Sequence, residues 1–132
     1  ELSRLQELAA GAPNIEFVGW QTEADMRRWI GRCKAVVYLP IDEDFGMSPV
    51  ESMAAGKPVI GVAEGGLLET VVDGETGLLL RPGFDASDVC AAVQTLTPSR
   101  AQAMRQACEA RSKRFDTAHF VQRMREVLTG PR

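Results

Sequence analysis

Ile41-Asp42-Glu43-Asp44-Phe45-Gly46-Met47-Ser48-Pro49-Val50-Glu51-Ser52-Met53-Ala54-Ala55-Gly56-Lys57-Pro58-Val59-Ile60 runs from an acidic loop into a helix and then into an apolar strand. The spacing predicts a helix over about Pro49 to Ala55. Proline fits the first helical turn, where its missing N–H costs nothing, and Gly56 supplies the left-handed residue that commonly ends a helix. Upstream, Ala35-Val36-Val37-Tyr38-Leu39 is a continuous apolar run, the pattern of a strand buried on both faces. Downstream, Pro58-Val59-Ile60-Gly61-Val62 reads the same way. Gly65-Gly66 then turns the chain into a short helix over Leu67 to Val72, Asp73-Gly74 turns it again, and Gly77-Leu78-Leu79-Leu80 supplies another strand.

The flanks extend the same alternation. Leu2, Leu5 and Leu8 make a helical stripe that ends at Gly11, with Pro13 beyond. Asn14-Ile15-Glu16-Phe17-Val18 alternates like a short strand closing at Gly19. Thr22-Glu23-Ala24-Asp25 caps a second helix whose inner face carries Met26, Trp29 and Ile30. After Ala86 the chain reads as three helices: one to Thr95, one from Ser99 to Arg114 and one from Thr117 to Leu128. Ser99 and Asp116 are the expected caps, and Pro98 marks the first break. Alternating strands and helices joined by short loops imply an α/β fold, a parallel sheet with helices on both faces. Ligands in such sheets sit beyond the carboxyl ends of the strands, so the loops after Val18, Leu39 and Val62 should converge on one crevice.

Composition sets bounds. The chain has 132 residues, 45% hydrophobic and 25% charged, enough for one domain with a real core. A net charge of −3 gives no general reason for binding nucleic acid. The stretch from Arg100 to Arg125 is locally basic and reads as a solvated helix face. Cys33, Cys90 and Cys108 are odd in number and widely spaced, which fits reduced thiols rather than a disulfide framework or a zinc site. His119 is the single histidine, which argues against histidine metal clusters and Ser/His/Asp triads. No apolar run approaches a membrane span, and no signal peptide is evident. Glu1-Leu2-Ser3-Arg4-Leu5 reads as mid-helix, so the sequence is expected to be a piece of a longer polypeptide.

The acidic loop and its helix carry the chemistry. Gly46 permits close backbone approach, and the helix beginning at Ser48 or Pro49 offers free N–H groups and the positive end of its dipole to a phosphate. Ser48-Pro49-Val50-Glu51 also spells a capping box, in which Glu51 merely bonds its own helix end. The alternative is a carboxylate accepting bonds from ribose hydroxyls. Glu43 is either one member of an exposed acidic triplet or a ligand for sugar hydroxyls. Asp42-Glu43-Asp44 also invites a divalent-metal reading, weakened because a helix amino end already supplies positive potential. Gly65-Gly66 is a plain turn or a place where a ligand passes close to backbone. Trp20 is a packing residue or the edge of a nucleobase site.

Taken together, Glu43-Asp44-Phe45-Gly46, the second glutamate at Glu51, Met53-Ala54-Ala55-Gly56-Lys57-Pro58-Val59-Ile60, Gly65-Gly66 and Asp73-Gly74-Glu75-Thr76-Gly77 resemble the family 4 retaining glycosyltransferases. The resemblance covers nearly the whole chain. It implies a GT-B architecture, two Rossmann-like domains facing each other across a cleft. Residues 1–132 would be most of the C-terminal, nucleotide-sugar-binding domain, with the first strands and the N-terminal acceptor domain outside it. By motif position, Glu43 would act as the catalytic-site acid on donor-sugar hydroxyls. Gly46, Met47 and Ser48 would give amides to the diphosphate, and Glu51 would hold the ribose. Gly19 and Trp20 would lie near the base, and Gly65 and Gly66 near the donor.

The resemblance further implies retention at the anomeric carbon and no metal or other cofactor. The Arg and Lys that neutralise the leaving diphosphate would lie upstream of Glu1. Partners would be a nucleoside-diphosphate sugar, with GDP-mannose suggested by the Glu-Asp-Phe-Gly-Met-Ser-Pro-Val-Glu wording, and a glycan or lipid-linked acceptor in polysaccharide assembly. The enzyme would be cytoplasmic, held peripherally at the inner membrane face through the other domain. Two competing readings keep the fold: a nucleotide-sugar 2-epimerase, disfavoured by the lone His119, and a non-catalytic nucleotide-sugar-binding module, disfavoured by the presence of both Glu43 and Glu51.

Overall fold

The computed structural model describes residues 1–130. The elements run α1 (Leu2–Leu8), α2 (Glu23–Arg32), β1 (Val36–Val37), α3 (Met47–Ala54), β2 (Val59–Val62), α4 (Leu67–Thr70), β3 (Gly77–Leu80), α5 (Ala86–Thr95), α6 (Pro98–Ser112), a 3₁₀ turn (Lys113–Phe115) and α7 (Thr117–Thr129). The three strands form one parallel sheet in the order β1-β2-β3. Val36 pairs with Val59, and Val59 through Val62 pair with Gly77 through Leu80. All four residues of β2 are buried. Successive side chains on a strand point to opposite faces, so helices cover this strand on both sides.

The core is built where the apolar runs meet. Val59 and Ile60 of β2 lie in one cluster with Val50 and Met53 of α3, Val71, Ala92, Leu96, and Ala101, Met104 and Cys108 of α6. Met53 is fully buried. Glycine makes the sheet this tight: a Cβ at Gly77 would lie 2.1 Å from the Val59 carbonyl oxygen. Burial pushes the Cys108 thiol up to about 11, so it stays a neutral packing group that donates weakly to the Thr76 carbonyl.

Helix ends follow their sequence signals, with one shift. The Thr22 hydroxyl accepts from the Asp25 N–H, and Asp116 accepts from the His119 N–H at 2.7 Å. Asp85 and Asp88 form a reciprocal capping box at α5. The cap of α6 is Thr97, with Pro98 as the first helical residue, rather than Ser99. The helix already starts at proline because Thr97 is extended and its hydroxyl reaches the Arg100 N–H.

Two expected strands differ. Residues 14–18 form no strand among the described elements, and Ile15, Phe17 and Val18 are exposed. Alternation supplies the faces of a strand but not the neighbouring backbone that must pair with it. The Ala35–Leu39 run shortens to Val36–Val37, and Val37 is 48% exposed. This strand bonds β2 on one side and lies at the sheet's edge, so it is not buried on both faces. For the same reason the inner face of α2 stays open, with Met26 and Trp29 exposed and Ile30 half-buried.

The expected outcome of Gly77→Ala is a loss of about 1–3 kcal/mol, the usual cost of forcing atoms into a packed interior. A lowered urea midpoint with an unchanged slope is the measurement that checks it.

Candidate functional site

The carboxyl ends of β1 and β2 carry two of the three loops that sequence reasoning expected on one crevice, and the structure brings these two together, while the loop after Val18 lies at a separate hollow. The Gly66 N–H donates to the Glu43 carbonyl at 2.9 Å. Both glycines are required by proximity. A Cβ at Gly65 would stand 2.3 Å from the Glu43 carbonyl oxygen, and one at Gly66 would stand 2.3 Å from Phe45 Cα. Gly65 also has φ +52°, in the left-handed region. The double glycine is therefore a backbone-on-backbone seat for the acidic loop.

Within that loop the Glu43 side chain turns inward. Its Oε2 accepts the Tyr38 hydroxyl at 2.5 Å, and its Oε1 accepts the N–H groups of Gly46 at 3.0 Å and Phe45 at 3.3 Å. The Tyr38 bond first, and then the Phe45 amide, hold the Glu43 carboxyl below its ordinary value; burial opposes them, and the Gly46 amide adds a smaller lowering. The same pairing, led by the hydrogen bond to Glu43, raises the Tyr38 phenol. Because Glu43 is depressed in the folded state, its contribution to stability is complete above the unfolded carboxyl's pKa. It is lost as pH falls through the lower, folded value.

The loop is also anchored from outside. The Phe45 ring meets Phe115 edge-on, centroids 5.7 Å apart, and the Arg111 guanidinium lies 5.3 Å over Phe115. Arg111 in turn donates to the carbonyls of Thr70 (3.0 Å) and Glu69, at the end of α4.

Helix α3 begins at Met47, one residue before the earliest expected start, behind Gly46 at φ +81°. No side chain caps it. The Ser48–Glu51 capping box is not formed, because Gly46, not Ser48, occupies the cap position. One expected amide is committed elsewhere: the Gly46 N–H already serves Glu43. Met47 and Ser48 remain as first-turn donors without intrahelical partners, aided by the helix dipole.

The two glutamates line separate hollows. Asp42, Glu43, Asp44, Glu64, Gly65, Gly66, Leu68 and Glu69 surround one of about 540 Å³. Glu51 joins Gln21, Thr22, Glu23, Met26, Arg27 and Ile30 around another of about 380 Å³. The loop after Val18 thus reaches the Glu51 side through Gln21, whereas Trp20 is 87% exposed and lines neither hollow. Gly19 has φ +61° and open space around it, the geometry of a turn. Gln21 is fixed by its own bonds: its amide nitrogen donates to the Trp20 carbonyl at 3.2 Å, and its oxygen accepts the Trp29 indole N–H at 3.2 Å.

Sequence reasoning missed two residues: Gln21, which lines the Glu51 hollow, and Tyr38, whose hydroxyl holds the Glu43 carboxylate. Tyr38 was legible only as the last polar-tipped residue of an apolar run, and Gln21 only as the residue after Gly19-Trp20. Among the described residues no three His, Cys, Asp or Glu side chains are grouped to hold a metal ion, and no helix is long and apolar enough to cross a membrane.

Comparison with known proteins gives the arrangement its context. Residues 1–115 match the family model for glycosyl transferases group 1. The chain is 51% identical over 59 residues to the alpha-1,3/1,6-mannosyltransferase ALG2 of Dictyostelium discoideum, covering 44% of this chain and 14% of that protein. Among solved structures, sucrose-phosphate synthase from Thermosynechococcus elongatus superposes with a TM-score of 0.84 at 28% identity, over 96% of this chain and 32% of that one. HepE of Anabaena, solved in complex with UDP and glucose, gives 0.81 at 26% identity, over 98% of this chain and 36% of that one. The chain thus spans about a third or less of each protein it matches.

Gly66→Ala is expected to push the acidic loop off its seat. Stability falls by about 1–3 kcal/mol, and the Glu43 carboxyl titrates closer to its ordinary value as its partners are displaced. Urea unfolding and carboxyl NMR titration read the two effects separately.

Proposed function

We propose, because this chain belongs to the glycosyl transferases group 1 family, that it is the donor-holding domain of a GT-B glycosyltransferase that moves a hexose from a nucleoside-diphosphate sugar to a glycan or lipid-linked acceptor. The observation that carries this reading is the uncapped amino end of α3, flanked by two carboxylates that face different hollows. The diphosphate takes the Met47 and Ser48 amides. The sugar lies on the Glu43 side, beneath the Gly65–Gly66 turn, and the ribose and base lie on the Glu51 and Gln21 side.

Each role follows from chemistry. Sugar and ribose hydroxyls are donors, and a carboxylate accepts them in charge-assisted bonds worth about 1.5–3 kcal/mol each. The leaving diphosphate gains charge as the glycosidic bond breaks. Oriented amides at a helix amino end stabilise that charge without having to reorganise. Transfer proceeds with retention and without a metal ion, as the family 4 resemblance implies. The opposed pair of carboxylates used by glycosidases has no counterpart in this arrangement, because Glu51 serves the ribose.

The donor's identity draws on two lines of support that diverge: ALG2 is named a mannosyltransferase, and HepE is solved with UDP and glucose. The motif wording favours GDP-mannose. Calorimetric titration of the two-domain enzyme with GDP-, UDP- and ADP-sugars is expected to give binding with GDP-mannose. Binding confined to a UDP- or ADP-sugar rejects the mannose assignment and leaves the domain's role intact.

The two glutamates should separate in kinetics. Glu51→Ala weakens nucleotide binding by about 10- to 100-fold, the loss of a charge-assisted pair. Glu43→Ala lowers kcat by a similar factor while nucleoside-diphosphate affinity changes little. Equal losses of affinity in both variants would remove Glu43 from the sugar.

A further inference from the structure

We propose that Tyr38 is a positioning residue of the donor site: its phenol holds the Glu43 carboxylate so that only one acceptor position faces the sugar. This rests on the reading of Glu43 given above and adds the residue that makes that acid directional.

The argument is a count of acceptor sites. A carboxylate offers about four lone-pair positions on its two oxygens. Oε1 spends two on the N–H groups of Gly46 and Phe45, and Oε2 spends one on the Tyr38 hydroxyl. One position on Oε2 is left for a donor hydroxyl. Without the phenol, Oε2 would have two free positions and no fixed direction.

Tyr38 is a firm base for this task. Its backbone N–H donates to the Ile60 carbonyl at 2.9 Å, tying it to the central strand β2 just beyond the last paired residue of β1. Its side chain is half-buried. Strand and acidic loop are therefore joined through one hydroxyl group. A site held by a residue locked in this way keeps its geometry better than one held by a loop side chain alone.

A pH signature separates this role from mere packing. Tyr38 is the largest cause of the lowered Glu43 carboxyl. Removing its hydroxyl raises that pKa, so Glu43 protonates at a higher pH and the acid limb of turnover moves upward.

The test is Tyr38→Phe in the two-domain enzyme, with Glu43→Ala alongside. The expected result is a fall of about tenfold in kcat, a donor KM within about twofold, and an acid limb displaced to higher pH. Turnover and acid limb both unchanged in Tyr38→Phe, while Glu43→Ala is impaired, overturn the proposal and leave the role of Glu43 standing. Unimpaired turnover in Glu43→Ala overturns both. Carboxyl NMR titration of the 132-residue chain gives an answer independent of turnover: the Glu43 midpoint rises in Tyr38→Phe, and an unmoved midpoint overturns the proposal.

Discussion

The hydrogen bond from the Gly66 N–H to the Glu43 carbonyl, with no space for a side chain at either glycine, is the constraint on which the site depends. It joins the loops that leave two adjacent parallel strands and so fixes their separation. Once the Glu43 backbone is seated, its side chain meets the Tyr38 hydroxyl and the Gly46 amide, and Gly46 can start α3 with its first amides facing outward. Phe45, on the other side of the loop, packs on Phe115 at the end of α6. A loop with three acids in succession would otherwise repel itself into a mobile conformation. Here its backbone is pinned at Gly66 and one of its rings at Phe115.

On the proposed donor orientation, one short helix serves two ends of a long ligand. The loop before α3 carries Glu43, which lines one hollow, and the helix itself carries Glu51, which lines the other. The amino end of α3 delivers positive potential without a charged side chain. With the first glutamate in the loop before the helix and the second in its middle, the pair brackets the helix start instead of converging on one point.

Much of this was legible in the sequence because it was written in local signals. The strand–loop–helix grammar, the turns at Gly65-Gly66 and Asp73-Gly74, and the caps at Thr22 and Asp116 depend on nearby residues. The parallel α/β fold followed from their order. What was not legible depends on neighbours distant in sequence. Residues 14–18 have the alternation of a strand and no partner to make them one. Val37 has the composition of a buried strand and lies at an edge. The family resemblance named Glu43 and Glu51, but neither it nor the local grammar revealed that Glu43 already occupies the Gly46 amide. That bond depends on a loop conformation imposed by Gly65 and Gly66, 22 and 23 residues after Glu43.

Electrostatics decide which part of a nucleotide sugar belongs in which hollow. Asp42, Glu43, Asp44, Glu64 and Glu69 line the first, with no Arg or Lys among its lining residues. Two unit charges of like sign 4 Å apart repel by about 4 kcal/mol at an effective dielectric of 20, so this acidic lining disfavours a phosphate. Neutral hydroxyls meet no such barrier and find acceptors all around them. In the donor orientation proposed above the phosphates lie at the α3 amides, where a helix end offers only about half a positive charge against a doubly charged diphosphate. Arg27, which lines the second hollow, pairs with Glu23 on the exposed face of α2, a solvent-screened contact of small energy. On the proposed reading, further cations complete the charge balance of a bound donor, and the helix end serves to orient it.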